Sequence, residues 1–315
     1  MKLVSYNEEN VNIGDALQTL TLFNFIKNNY NDIEIDGYSE RSGLENKKVI
    51  INGWHRREKE PLPYVGIYIG IHTNYDQSTS IKENTFIGCR DMFTLKEVRR
   101  NKKIKGIFSG CSTITIPFYE GKRDGGTVEY IHEDKKTGFI PFEEQLKMAN
   151  DLIEELKTKE LVITNRLHVA IPCIALGTPV IINPRDFQQE RFTIFDYFKE
   201  FPGYNKTITR ESGLKERMEE VFKDAFEEIL FNHKLYNKLE LYYTPIKIFS
   251  FQQMSRNELK NQLHNVFGDE NLCNVLTGIL KEDYKQILMT PKEAINYVKK
   301  YLSYEHLYKK IETKN

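Results

Sequence analysis

Residues Leu161–Asn183 read LVITNRLHVAIPCIALGTPVIIN. Leu161–Thr164 is a short apolar run with the composition of a buried strand. It ends in a polar turn, Asn165-Arg166-Leu167-His168, and a short helix follows to Leu176. Gly177 stops that helix, Thr178-Pro179 turns the chain, and Val180–Asn183 is the next strand. Strand, turn, helix and strand in so short a span favour a parallel sheet with helices on its faces.

The same alternation extends outward. Leu3–Tyr6 reads as a strand and Asn7–Gly14 as a loop. Ala16–Asn28 has helical spacing, with Leu17, Leu20, Phe23 and Ile26 near one face. Asp15 with Gln18 resembles a capping box, which would start that helix. Strand-like runs follow at Val49–Ile51, Ile67–Ile71, Thr85–Ile87 and Ile104–Phe108. Gly121–Gly126 is the best turn-rich break in the first half, and the lobe boundary is expected there. Beyond it come a strand at Glu129–Ile131, a helix at Phe142–Lys157, the segment quoted above, and a helix from Gly213 to Asn232. The tail after Pro245, rich in Lys, Asn, Tyr and Glu, reads as several short helices. The expected architecture is α/β: residues 1–122 and 123–245 form two lobes, and 246–315 a helical extension.

Composition narrows the function classes. The chain has 315 residues, 40% hydrophobic and 12% aromatic, with 19 Phe and 18 Tyr. That is enough apolar material for real cores, so wholesale disorder is out. Lys plus Arg equals Asp plus Glu, 45 against 45, so the general positive field of a nucleic-acid binder is missing. No segment approaches the roughly 20 apolar residues of a membrane helix. The first residues lack the charged start and apolar middle of a signal peptide. Cys89, Cys111, Cys173 and Cys273 are far apart, which argues against a disulfide framework or zinc site and for a cytoplasmic home.

Several segments could carry chemistry. Arg166 and His168 sit on a strand-to-helix turn, where open α/β sheets bind ligands. The helix N-terminus offers N–H groups and partial positive charge to an anion, and Arg adds a planar fork. His supplies an acid or base. The alternative is a structural Arg and a capping His, and the position on the turn weighs against it. Asn12-Ile13-Gly14-Asp15 lies between a strand and a helix; Gly14 would let backbone approach a ligand and Asp15 accept from a sugar hydroxyl, or the segment is a plain N-cap. In Gly88-Cys89-Arg90-Asp91, Arg90 could meet an anion while Asp91 caps the helix holding Thr94 and Val98. Ser109-Gly110-Cys111-Ser112-Thr113 suits a phosphate contact or a simple turn. Trp54, after the strand ending at Ile51, could stack on a sugar or pack in the core.

The chain resembles the polysaccharide pyruvyl transferase family. Thr164–Ile181, TNRLHVAIPCIALGTPVI, is the longest match. Asn12–Asp15, Gly88–Asp91 and Phe108–Cys111 follow the same order along the chain. The resemblance covers roughly residues 1–200 and leaves the tail unexplained. It implies two Rossmann-like lobes facing a cleft, as in the glycosyltransferase-B architecture. It implies phosphoenolpyruvate as donor and a sugar of a cell-surface polysaccharide or its precursor as acceptor, joined as a pyruvate ketal. Arg166 and His168 would lie at the donor. Arg90, Asn12, Gly14, Asp15, Ser109, Gly110 and Asn165 would line the site, with no resident metal or cofactor. The acceptor could be lipid-linked, which would place the work at the inner face of the membrane, and the protein could be a homo-oligomer. Two other readings stand beside this one: a sugar-nucleotide glycosyltransferase on the same scaffold, which the absence of an Asp-x-Asp pair weakens, and a non-catalytic carbohydrate-binding relative.

Overall fold

The computed structural model of the chain describes residues 2–4, 13–31, 33, 38–39, 49–54, 66–73, 86–100, 104–131, 140–184, 189–199, 201–242 and scattered positions in 255–264. Asn12 and nearly all of the tail lie outside them. The chain divides into two compact units, 1–231 and 232–315. Every candidate site residue belongs to the first.

Two sheets organise this unit. One has the order β2-β1-β3-β4-β5-β6, formed by Lys2–Val4 (β1), Tyr38–Ser39 (β2), Val49–Trp54 (β3), Gly66–His72 (β4), Phe86–Cys89 (β5) and Lys105–Phe108 (β6). All of its pairs are parallel. The other runs β7-β8-β9-β10, formed by Thr127–Tyr130 (β7), Leu161–Thr164 (β8), Val180–Ile182 (β9) and Thr207–Ile208 (β10). Here only the β9–β10 edge is antiparallel. Helices α1 (Ile13–Asn29), α2 (Met92–Arg100), α3 (Phe142–Thr158) and α4 (Leu167–Leu176) connect parallel strands, and α5 spans Leu214–Tyr242. The α/β class is as the sequence implies.

Burial explains the pattern. Val49, Ile50 and Ile51 of β3, with Ile67, Tyr68, Ile69 and Ile71 of β4, are inaccessible to solvent. Central parallel strands are covered on both faces, so their sequences are continuously apolar instead of alternating. Helix α1 packs on α3 and α4, and so ties the two sheets together. Phe222 and Phe226 of α5 meet Phe25 of α1 edge-on, with ring centroids 5.3 and 5.4 Å apart. The helix after the second sheet thus returns to the first. The thiols of Cys89, Cys111 and Cys173 are free and buried. Among the described residues no helix is long and apolar enough to cross a membrane.

Local boundaries differ from the sequence reading in instructive ways. Helix α1 begins at Ile13, so Asp15 lies in its first turn and not at the cap. Gln18 Nε2 donates to Asp15 Oδ1 at 3.2 Å, a side-chain pair where a capping box was expected. Strand β3 continues through Asn52-Gly53-Trp54, because a register shift at Gly53 (φ 87°) lets the pairing resume beyond it. Strand β5 runs to Cys89, which leaves Arg90 and Asp91 as the residues that emerge from its carboxyl end. The last helix runs to Tyr242, past Asn232, since the sequence from His233 to Tyr242 holds no Gly or Pro to break it.

Candidate active site

The carboxyl ends of β4, β5 and β8 deliver His72, Arg90-Asp91 and Asn165-Arg166 respectively. At β5 the chain makes a tight strand-to-helix turn. Asp91 Oδ1 accepts the Thr94 N–H at 2.8 Å, which caps α2 as the sequence suggested. Its other oxygen, Oδ2, accepts from His72 Nδ1 at 2.8 Å and from Arg90 Nε at 3.3 Å. Asp91 is fully buried and Arg90 is 2% exposed, so this carboxylate is a fixed hub. Burial works to raise its pKa. The charge and hydrogen bond of His72, the Arg90 guanidinium and the Thr94 N–H overcome that and hold it below the usual value.

His72 lies under opposite pressures. Burial and then Arg90 push its pKa below 6.5, against the pull of Asp91. The direction that wins is down, because burial is the largest of these influences. At neutral pH the pair is therefore an Asp91 carboxylate and a neutral His72 whose proton sits on Nδ1. Thr94 Oγ1, 3.2 Å from the same nitrogen, shares that proton.

The helix after β8 brings His168 to this hub. Arg90 Nη1 donates to His168 Nε2 at 3.4 Å. An arginine can only donate, so Nε2 must be the lone-pair nitrogen of a neutral imidazole. The surroundings agree: burial first, then Arg90, Arg191 and His72, depress His168 well below 6.5. His168 as a residue is half-buried. Burial, and then the neighbouring guanidinium, disfavour a positive charge on this ring.

The turn that carries His168 has a local cause. Arg166 takes the cap position of α4 in an extended conformation and makes no side-chain cap. Its N–H donates to Thr164 Oγ1 at 2.9 Å. Its Nε is buried, with no hydrogen-bond partner among the described residues. A buried donor of that kind is poised for an anion. Pro172 has no N–H to offer the His168 carbonyl one turn back, and its ring crowds that carbonyl. His168 accordingly departs from helical geometry, with φ −82° and ψ 16°.

The other sequence candidates divide. Asp15 is buried beside Gly53, in the side-chain pair with Gln18, and its charge acts on Arg191. Gly14 lies in the first turn of α1. Gly110 has φ 70°, and nothing lies within 4 Å of where a Cβ would stand, so space opens there. Ser109 is turned to internal work: its hydroxyl accepts from Gly70 N and lies 3.2 Å from Cys89 O. Asn165 is buried between β8 and α4. Arg90 and His168 meet from the two sheets, and Asp91 holds Arg90 in place; Arg166 lies two residues before His168 on the same turn, and its charge acts on Tyr130. Sequence reasoning missed His72 and Arg191. His72 ends a strand two places from β6 in the sheet, and that position was its only signal. Arg191, on the one-turn helix Gln189–Phe192, acts on both histidines from an irregular stretch that gave none.

The model of the family described as polysaccharide pyruvyl transferase matches residues 12–182. Among solved structures, a functionally uncharacterised protein from Klebsiella pneumoniae subsp. pneumoniae NTUH-K2044 is similar at 16% identity. The similarity covers 64% of this chain and 90% of that one, with a TM-score of 0.47. No curated protein matches.

Proposed function

The chain belongs to the polysaccharide pyruvyl transferase family, and we propose that it moves pyruvate from phosphoenolpyruvate onto a sugar of a cell-surface polysaccharide or its precursor, closing a ketal. The observation that carries this reading is the Arg90–His168 contact, which joins two segments of the family resemblance across two sheets. It also supports the two-lobed, glycosyltransferase-B-like reading, with carboxyl strand ends on both sides of one site.

Phosphoenolpyruvate carries a phosphate and a carboxylate close together. Arg90, Arg166, Arg191 and the N-terminus of α4 are positive groups suited to that pair of anions. In this reading the arginines balance the charge and no resident cofactor enters. The enol carbon must gain a proton before a hydroxyl attacks, and phosphate must leave. His168 is the proton carrier. Burial, and then the charges of Arg90 and Arg191, keep protons off it. A bound dianion cancels that field, so donor and acidic proton are assembled together.

The test has two parts. Phosphoenolpyruvate, but not UDP- or GDP-sugars, is expected to raise the melting temperature, and mass spectrometry of a glycoside panel should find a ketal product. Nucleotide-only shifts would favour a sugar-nucleotide glycosyltransferase, and no shift with any ligand a non-catalytic relative. Arg166→Ala should mainly weaken donor binding, by roughly 2–4 kcal/mol or about thirty- to a thousandfold. His168→Gln should bind nearly normally and turn over about 10²–10⁴-fold more slowly.

A further inference from the structure

Closing a ketal on two hydroxyls moves two hydroxyl protons, and His168 alone accounts for one carrier. We propose that His72, oriented by Asp91, is the second proton-transfer group of this site and takes the proton of the attacking acceptor hydroxyl. The inference rests on the phosphoenolpyruvate reading above.

The geometry is that of an oriented base. His72 is the last residue of β4, beside the strand that delivers Arg90 and Asp91. Its Nδ1–H donates to Asp91 Oδ2 at 2.8 Å, with Thr94 Oγ1 at 3.2 Å. Asp91 cannot rotate away, since its other oxygen is held by the Thr94 N–H and Oδ2 also receives Arg90 Nε. With Nδ1 committed to a carboxylate, the lone pair of the neutral ring falls on Nε2. A carboxylate behind an imidazole stabilises the imidazolium that forms when Nε2 takes a proton. The groups that act on this ring are Asp91, Thr94, Arg90 and Arg191, with the Phe93 ring 6.2 Å away, and His168 feels its charge in turn. Two histidines, both held neutral by burial and then by Arg90, are thus set apart by their partners: His72 is backed by a carboxylate and His168 by a guanidinium. The first favours gaining a proton and the second favours giving one up.

The steps balance. In the first, an acceptor oxygen bonds to C2 of phosphoenolpyruvate and its proton passes to His72 Nε2. The C2–C3 π pair takes a proton from the imidazolium of His168, which makes C3 a methyl group. In the second, the C2–O bond to phosphate breaks and the electron pair leaves with phosphate. The second hydroxyl oxygen bonds to C2 and its proton returns His168 to imidazolium. His72 passes its proton to the departing phosphate. Ketal and inorganic phosphate form, both histidines are restored, and no oxidant or reductant is needed.

His72→Asn separates this role from a structural one, because the Asn amide can still donate to Asp91 but offers no basic nitrogen. The variant should keep phosphoenolpyruvate affinity within about threefold and lose about 10²–10³-fold in turnover. The loss should shrink at least tenfold with an acceptor carrying fluorine beside the attacking hydroxyl, whose proton is more acidic. Near-normal turnover in His72→Asn, or an equal deficit with both acceptors, would overturn the inference while leaving the donor reading intact. Wild-type protein that neither binds phosphoenolpyruvate nor forms ketal would overturn both.

Discussion

Replacing Asp91 with Asn keeps the shape of the side chain and removes its charge. In the folded protein this carboxylate accepts three donors: His72 Nδ1, Arg90 Nε and the Thr94 N–H. Asn can still cap α2 through its carbonyl oxygen, so the helix start survives. Arg90 is the casualty. It is 2% exposed, beside a fully buried Asp91, so solvent screening gives no discount on the lost pair. Leaving one member of a buried ion pair uncompensated costs about 3–5 kcal/mol. The unit that holds the site is 231 residues long, residues 1–231. For that size, each kcal/mol moves the melting temperature by about 2–4 °C. Asp91→Asn should therefore melt roughly 6–20 °C below wild type. Asp91→Ala also loses the cap and should melt a further ~2–4 °C lower. Scanning calorimetry with and without inorganic phosphate checks the cause. A dianion beside the orphaned Arg90 should restore part of the loss in Asp91→Asn and do less for wild type. A variant within about 2 °C of wild type, or one that phosphate leaves unmoved, would refute the view that Asp91 is the hub that holds Arg90.

Three further outcomes follow from the same geometry. His72 and His168 have folded pKa values below 6.5; the unfolded chain takes those protons near 6.5, so their contribution is complete above about 6.5 and is lost as pH falls. The urea midpoint should then drop between pH 7.5 and 5.5, and the slope should flatten in a His72→Asn, His168→Gln double variant; an unchanged slope would show that neither ring resists protonation. Pro172→Ala restores an N–H that can reach the His168 carbonyl, so it should raise the melting temperature while lowering turnover as His168 is drawn into helical geometry; full activity would detach the loosened turn from function. Gly177 caps α4 at φ 73°, and a Cβ there would overlap the Phe118 ring; Gly177→Ala should cost roughly 2–4 kcal/mol in denaturant titrations with donor affinity unchanged, and a cost under about 0.5 kcal/mol would contradict that packing.

What could be read in advance was whatever local sequence settles. The 161–183 stretch came out with its strand, turn, helix and stop in place, because an apolar run, a polar turn and a Gly act within a few residues of each other. Asp91 as the cap of α2 was legible for the same reason: cap and capped N–H are three residues apart. Asp15 misled, because a cap-like Asp-x-x-Gln spacing cannot reveal that the helix has already begun at Ile13. His72 stayed hidden because its meaning comes from pairing between strands. It becomes a base only when β4 lies against β5 and Asp91 reaches back to it across 19 residues of chain. The contact between Arg90 and His168 spans 78 residues and two sheets. Each residue was singled out on its own turn, but no periodicity carries the distance between them.

That contact explains why a site rich in arginine contains histidines at all. On the proposed function, guanidiniums suit a ligand with several negative charges, and Arg90 and Arg191 also disfavour a proton on the two histidines. A more basic proton carrier would stay charged in the empty site and add to the repulsion that the folded protein must bear. Imidazole avoids this. Burial and the arginines lower its pKa, and on the proposed function a bound anion would offset the arginines. On the proposed function, the substrate's charge would set the protonation state of the group that acts on it. Asp91 extends the same logic to the opposite side. By fixing the proton of His72 on Nδ1 and holding Arg90 in line with His168, one buried carboxylate orients the three side chains to which the proposed reaction gives the roles of base, anion clamp and acid.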